Sequence, residues 1–389
     1  MKRICFLFNH DQTHQLAHSL PIALALAGRG EHHVTLAYAR EGARAEIARQ
    51  ADPVLLARME LVQLGLKRGG SQMLAGVLER IVPATKLLLY RDNLDFFRSF
   101  DAVVVAEKTS LLLKTRYGLR NVKLIHTRHG AGDRAIGFNP ESAKFDLVLV
   151  SGPKIRDRLI ADAGLNPEQI ALVGYPKFDL CAHNRFADRF PAPERPTVIY
   201  NPHPSPKLSS WFKHGAQVLE AFRQQDRYNL IFAPHVMLFQ RSFVVTVDPP
   251  SLARVRAPGP EFAGEPRIHI DTGSGASSDM SYTNRADIYL GDVSSQVYEF
   301  LRSPRPCLFL NSHGVDWRGD PNYLHWQAGP VLGSADGLLD AIDAAVAAHP
   351  DYAPTQQALI DATFSQSERP SAERAADAIT AFLEGRPLV

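Results

Sequence analysis

The sequence predicts an α/β protein of two doubly wound, Rossmann-like domains with a cleft between them. Three observations predict it. Short apolar runs alternate with longer amphipathic ones along almost the whole chain, the pattern of a parallel sheet covered by helices on both faces. The alternation is interrupted once, at Phe186–Pro196 (FADRFPAPERP), where Pro191, Pro193 and Pro196 exclude a helix or a central strand. The length of 389 residues suits two domains of about 150 to 200. The domain boundaries follow: a first domain at residues 1–185, a linker at 186–196, and a second domain at 197–389 whose last helix is a candidate to pack back on the first domain.

In the first domain the apolar runs predict strands at Arg3–Phe8, His33–Tyr38, Ala102–Ala106, Lys123–His126, Leu147–Val150 and Ile170–Val173. The first run follows Lys2 and stops at Asn9-His10-Asp11-Gln12, too short for the apolar core of a signal peptide, so it reads as a strand. Amphipathic spacing predicts helices at His14–Ala27, Ala43–Gln50, Ser71–Phe97 with a break near Pro83, Ser110–Tyr117 and Lys154–Ala163. In the second domain the strands are Thr197–Tyr200, Asn229–Ala233, Ile268–Ile270, Ile288–Leu290 and Cys307–Phe309; the helices are Ser210–Gln224, Ser295–Leu301, Ala335–Ala348 and Ala372–Glu384. Pro249–Pro266, rich in Pro and Gly, reads as a surface loop.

Composition narrows the class. Hydrophobic content of 45% and charged content of 22% are those of a soluble globular protein. Lys and Arg (43) nearly balance Asp and Glu (41), which argues against a nucleic-acid partner. Cys5, Cys181 and Cys307 stand far apart in no metal or redox spacing, as small apolar residues of a reducing, cytoplasmic compartment. No run approaches the length of a membrane-spanning helix. The segment 61–98 mixes many apolar side chains with Lys67, Arg68, Arg80, Lys86, Arg91 and Arg98, a composition compatible either with packed helix or with peripheral contact to an anionic membrane.

The candidate functional residues follow the predicted strands, where open α/β sheets bind ligands. Ile288–Leu290 runs into Gly291-Asp292, then Ser294 and Ser295 open a run of helical spacing. Hydroxyls at a helix N-terminus suit a phosphate, although the same residues also make an ordinary N-cap. Lys123–His126 leads to His129-Gly130-Ala131-Gly132, where an imidazole is placed to take a proton from a hydroxyl and the glycines allow close approach. Thr197–Tyr200 leads to a loop stiffened by alternating prolines that offers His203, Ser205 and Lys207. Asn229–Ala233 leads to Pro234-His235. Each histidine alone can also be read as a structural or solvated residue; their shared position makes a convergent site the economical account. The Gly/Ser-rich turn Asp271–Ser278 and the segment Gly174–Asp179, with Lys177, are weaker candidates. No zinc motif, phosphate-binding Walker loop or dinucleotide fingerprint is present, so neither metal nor cofactor is expected.

Together these motifs resemble the CDP-glycerol glycerophosphotransferases of bacterial wall and capsule polymer synthesis, which have the GT-B fold. The residues that carry the resemblance are Arg128-His129-Gly130, Gly174-Tyr175-Pro176-Lys177-Phe178-Asp179, Pro234-His235, and Asp292-Val293-Ser294-Ser295 followed by Glu299-Phe300, within about residues 120–310. The resemblance implies transfer of an alditol phosphate from a CDP-activated donor, itself a substrate, to a hydroxyl of a lipid- or glycan-linked acceptor at the inner face of the cytoplasmic membrane. It implies His129 as the base, His235 on the donor pyrophosphate, and Ser294 and Ser295 on its phosphate. Gly130, His203, Lys207 and Asp292 complete the donor-binding candidates, with His18, Lys177 and Glu299 secondary. Thr127-Arg128 and Ala131-Gly132 depart from that family's usual Trp before and Thr-Pro after the His-Gly pair.

The first domain also resembles inverting GT-B glycosyltransferases. His18-Ser19-Leu20-Pro21 precedes an Ala/Leu-rich helix and Gly28-Arg29-Gly30, and Ala17 stands where a Gly is usual. That resemblance implies His18 as the base and a UDP- or GDP-sugar donor, in a glycosyltransferase or a sugar-nucleotide epimerase. A non-catalytic nucleotide- or glycan-binding protein on the same scaffold is the third reading.

Overall fold

The computed structural model describes residues 1–9, 13–67, 84–128, 130–187, 190–247 and 250–388. The chain forms two compact units. One comprises Met1–His129, Phe138–Leu180 and Thr363–Val389; the other comprises Gly130–Gly137 and Cys181–Ala362.

The first unit is built on a sheet of seven parallel strands: β1 (Arg3–Phe8), β2 (His33–Tyr38), β3 (Glu60–Gln63), β4 (Ala102–Val105), β5 (Lys123–Thr127), β6 (Leu147–Val150) and β7 (Ile170–Leu172), in the order β3-β2-β1-β4-β5-β6-β7. The strands are apolar at nearly every position because both faces are covered. Successive side chains alternate between two cores: Ile4, Phe6, Leu36 and Val104 face one, Cys5, Leu7, Ala37 and Val103 the other. β3 was not predicted; its short run ELVQ is only half-buried, as an edge strand can be.

Several predicted helices are shorter or divided. In place of His14–Ala27 there is a 3₁₀ turn, Thr13–His18, followed by a helix at Leu20–Arg29. Pro21 explains the division: its ring fits the first helical turn and would break an interior one. Ser110–Tyr117 is likewise a 3₁₀ turn, Lys108–Leu111, leading into Leu112–Thr115. Of the helix predicted at Ser71–Phe97, residues 71–83 lie outside the described residues, and the rest is Ala84–Asp92 and Leu94–Arg98. Asn93 marks the break, its amide donating to the carbonyls of Leu89 (2.8 Å) and Gly65 (2.9 Å). Leu89, Tyr90 and Phe97 are buried in the second core, so the described part of the basic, apolar segment 61–98 spends its largest side chains on packing.

The segment Gly174–Asp179 fastens the last helix, Ser371–Leu383, to this unit. Gly174 has φ +83°, and any side chain on it would run into Ser371 and Arg374. Asp179 accepts from the Ala372 N–H (2.6 Å) at the helix start, and Arg374 donates to the Val173 carbonyl (3.1 Å). The helix buries Ala375, Ala376, Ala378 and Ile379 in the first core and pairs Glu373 and Asp377 with Arg29 of the Leu20–Arg29 helix.

The second unit carries six parallel strands: β8 (Thr197–Asn201), β9 (Asn229–Phe232), β12 (Ile268–Ile270), β13 (Ile288–Gly291), β14 (Cys307–Leu310) and β15 (Val331–Leu332), in the order β12-β9-β8-β13-β14-β15. The order reverses between β8 and β13. A separate antiparallel hairpin joins β10 (Phe243–Val247) to β11 (Pro250–Arg254). The loop predicted at Pro249–Pro266 therefore contains a strand and, at Pro260–Phe262, a 3₁₀ turn. The helix His349–Thr363 was also not predicted; it holds Pro354 inside it, a residue that argues against a helix when only the sequence is read.

Ile379→Ala should cost about 2–5 kcal/mol, because a fully buried side chain is truncated in a core closed by the last helix. Denaturant unfolding checks this.

Candidate functional site

The exits of the three central strands of the second unit are tied to one another. The Asn201 amide at the end of β8 donates to the Ala233 carbonyl beyond β9 (2.5 Å) and accepts from the Tyr289 hydroxyl of β13 (3.3 Å). The His235 N–H donates to the Pro202 carbonyl (3.1 Å). These strands flank the point where the strand order reverses, the position at which open parallel sheets form a ligand crevice.

Asp292 organises the loops beyond. It is fully buried. One carboxylate oxygen accepts from the backbone N–H groups of His203 (2.9 Å) and Val293 (2.6 Å); the other accepts from the N–H (2.6 Å) and hydroxyl (2.8 Å) of Ser210. Its own carbonyl accepts from Trp326 Nε1 (2.7 Å) and lies 3.1 Å from His325 Nε2. Burial raises its pKa to about 6, against the pull of the hydrogen bonds from Ser210, His203 and Val293. Asp292 was expected among the donor-binding residues; both of its oxygens are instead engaged by the protein, and it braces the His203 loop against β13.

His203 and His235 come together with ring centres 6.2 Å apart, each half-buried. His203 Nδ1 accepts from the Ser205 N–H (3.0 Å), and His235 Nδ1 accepts from the Met237 N–H (3.3 Å). With Nδ1 an acceptor in both, the neutral ring carries its proton on Nε2. Burial holds both in that neutral form. It lowers His235 to about 4 and His203 well below 6.5, with the neighbouring His235, Arg134 and His325 adding repulsion at His203. The pair is thus two neutral N–H donors on adjacent strand exits, poorly suited to take a proton at Nε2 and well suited to bind oxygen atoms.

The turn after β13 departs from expectation. The predicted helix Ser295–Leu301 is one turn, Val297–Phe300, too short for aligned peptide dipoles to sum strongly. Ser294 is buried, its hydroxyl near the Gln296 N–H (3.4 Å), while Ser295 is exposed. Glu299 is buried and Lys207 exposed.

The segment Gly130–Gly137 belongs to this unit and packs on that turn. A side chain on Gly132 would meet Ser295 Cβ at 2.8 Å, and Gly130, at φ +83°, lies just beside the Ser295 hydroxyl. Asp133 is buried and accepts from the Tyr298 hydroxyl (2.8 Å) and the His325 N–H (3.1 Å), with His325 Nδ1 2.8 Å away. Sequence reading missed Asp133, His325 and Trp326, which lie far apart in the chain and in no motif. His129 lies outside the described residues. The Asp271–Ser278 turn is folded around Asp271. Although burial opposes it, hydrogen bonds from Ser274, Tyr282 and Gly273 hold its carboxyl near 2. The turn joins the Ser294–Ser295 region through Gln296, which donates to the Ser277 carbonyl (2.7 Å).

In the first unit His18 is 5% exposed and meets the Tyr175 ring edge-on at 5.2 Å. Lys177 is also buried, in the short helix Pro176–Cys181. Among the described residues no group of three His, Cys, Asp or Glu side chains is placed to hold a metal ion.

No family model matches the sequence, and no curated protein matches it. Solved structures do. A putative UDP-N-acetylglucosamine 2-epimerase from Listeria monocytogenes is 12% identical over 100% of this chain and 98% of its own, with a TM-score of 0.59. The wall teichoic acid polymerase TagF, soaked with CDPG, is 14% identical over 99% and 89%, with a TM-score of 0.61. The S. aureus MnaA–UDP structure is 12% identical over 99% and 97%, with a TM-score of 0.58. With the two parallel-sheet units, these neighbours identify the fold as GT-B.

Two measurements test this geometry. Gly132→Ala should destabilise the protein by about 1–3 kcal/mol through the clash with Ser295, and Ser295→Gly should recover most of the loss. The second concerns pH. A histidine whose folded value lies below 6.5 contributes stability above 6.5 and loses it as pH falls towards the folded value. For His235 the window runs from 6.5 down to about 4. The raised Asp292 works in the opposite sense, so the readout is the difference between wild type and His235→Asn. The variant should lose less stability across that window in thermal melts.

Proposed function

We propose that the protein is a transferase using a nucleotide-activated donor, bound at the strand exits of the second unit. One observation carries this reading. At the reversal of strand order, two neutral imidazoles, whose Nδ1 atoms accept backbone N–H groups and which therefore carry their protons on Nε2, stand with ring centres 6.2 Å apart. Such donors suit the oxygens of a pyrophosphate, whose leaving phosphate gains charge as the bond breaks.

The specific reading is transfer of an alditol phosphate from a CDP-activated donor to a hydroxyl of a lipid- or glycan-linked acceptor. The acceptor oxygen attacks the phosphorus that carries the alditol. A new P–O bond forms as the bond to the CMP oxygen breaks, and the acceptor proton passes to a base. His129 has the base role by resemblance. His203 and His235 bind the donor pyrophosphate, and Ser295, the exposed hydroxyl of its turn, is the available contact for the donor phosphate. Support comes from the motif order in the sequence and from the fold shared with TagF, whose structure was soaked with CDPG.

A second reading is a GT-B glycosyltransferase or sugar-nucleotide epimerase using a UDP- or GDP-sugar. The fold shared with the MnaA–UDP structure and with the Listeria epimerase favours it. In that reading His18 is the residue to examine, although its burial against Tyr175 favours a packing role.

Thermal melting with CDP, CMP, UDP, GDP and CDP-glycerol separates these readings. A ligand at a hundred times its dissociation constant should stabilise the fold by about 2.7 kcal/mol. Cytidine nucleotides should stabilise the wild type, and His203→Ala or His235→Ala should remove most of the shift. CMP release should then be measurable and should fall in His129→Ala. Preference for UDP or GDP would favour the second reading, and no shift with any nucleotide would remove both.

A further inference from the structure

The β10–β11 hairpin of the second unit inverts the usual rule for a sheet in water. Its residues alternate strictly. Val244, Thr246, Ser251 and Ala253 are half-buried, and the hydroxyls of Thr246 and Ser251 meet at 2.6 Å. The opposite face carries Phe243, Val245, Pro250 and Leu252, all exposed. Val245 and Leu252 pair directly across the ladder and are 73% and 70% exposed; Phe243 is 55% exposed. A hairpin with one solvated face normally turns its apolar residues inward and its hydroxyls out. Here the pattern is reversed, so water is not the medium this face is built to meet.

The hairpin is firmly based. Val255 packs on the core of the second unit and donates its N–H to the Ser242 carbonyl (2.9 Å), closing the ladder. Trp211 Nε1 donates to the Arg256 carbonyl (3.0 Å), holding the end of the hairpin to the helix Trp211–Arg223. The exposed face is therefore presented by a braced element.

The charges around it identify the occupant. Arg254 lies on the apolar face opposite Phe243, and Arg241 and Arg256 flank the strands; all three are exposed. From 241 to 256 these arginines meet a single acidic residue, Asp248. Apolar side chains rimmed by arginine are complementary to the boundary of an anionic bilayer, where the rings and aliphatic groups enter the acyl region and the guanidinium groups remain among the phosphates. We propose that the outer face of this hairpin docks the protein on an anionic lipid bilayer. The face is made of residues other than the histidine pair and does not depend on the reaction assigned there. It also differs from the basic segment 61–98, whose described apolar residues are largely spent on packing.

The test is co-sedimentation of the full chain with vesicles of phosphatidylcholine alone and of phosphatidylcholine with phosphatidylglycerol in equal parts. The protein should pellet with the mixed vesicles at low salt and stay in solution with phosphatidylcholine alone. The double variant Val245→Asp, Leu252→Asp should remain in solution with both; because these side chains are exposed, its melting temperature should match wild type. Arg254→Gln should weaken binding by about fivefold and reduce its salt dependence. Wild type that stays in solution with the mixed vesicles, or a folded double variant that pellets like wild type, overturns the proposal. So does light scattering that shows a wild-type dimer, insensitive to vesicles, which the double variant abolishes; the face would then seat a second copy of the chain.

Discussion

The second unit depends on one buried carboxylate. Asp292 stands at the end of β13 and receives four hydrogen bonds from three separate points of the chain: Val293 beside it, His203, and Ser210 at the start of the next helix. Its carbonyl anchors Trp326 and neighbours His325. A charged group this deep is tolerated only when its lone pairs are filled, and filling them fixes where the surrounding loops run. The backbone of the His203 loop is set by that carboxylate. His235 is set in turn by the Pro202 carbonyl on the same loop. The pairing of the two imidazoles is thus a consequence of a residue that itself has no oxygen left for a ligand.

The same logic gives a new meaning to the conspicuous Gly-Tyr-Pro-Lys-Phe-Asp string. In this chain it closes the first unit. Gly174 leaves room for Ser371 and Arg374, Asp179 caps the last helix, and the rings of Tyr175 and Phe178 pack on Phe364. The last helix then completes a core whose other walls were laid down more than two hundred residues earlier in the chain. A motif can carry a family resemblance and still do its work through packing.

The sequence by itself determined the layered α/β architecture and eleven of the fifteen described strands, missing β3, β10, β11 and β15. β1, β2, β6 and β12 fall on the predicted residues, and the other seven predicted strands differ by one position, because a strand covered on both faces must be apolar throughout and says so locally. His203 and His235 were also legible, since each directly follows a strand in a parallel sheet, where chain direction alone puts such residues on one edge. Tertiary structure decided the rest. The tautomers and depressed basicity of the two histidines come from backbone N–H groups and burial. The structural duty of Asp292 comes from partners up to 89 residues away. The buried cluster of Asp133, Tyr298 and His325 spans 192 residues of chain. The outward apolar face of β10–β11 needed the same information, because alternation reveals that two faces differ but not which of them the fold will cover. Periodicity is a property of neighbours in sequence; hydrogen-bond partners and burial are properties of neighbours in space, and only folding makes those.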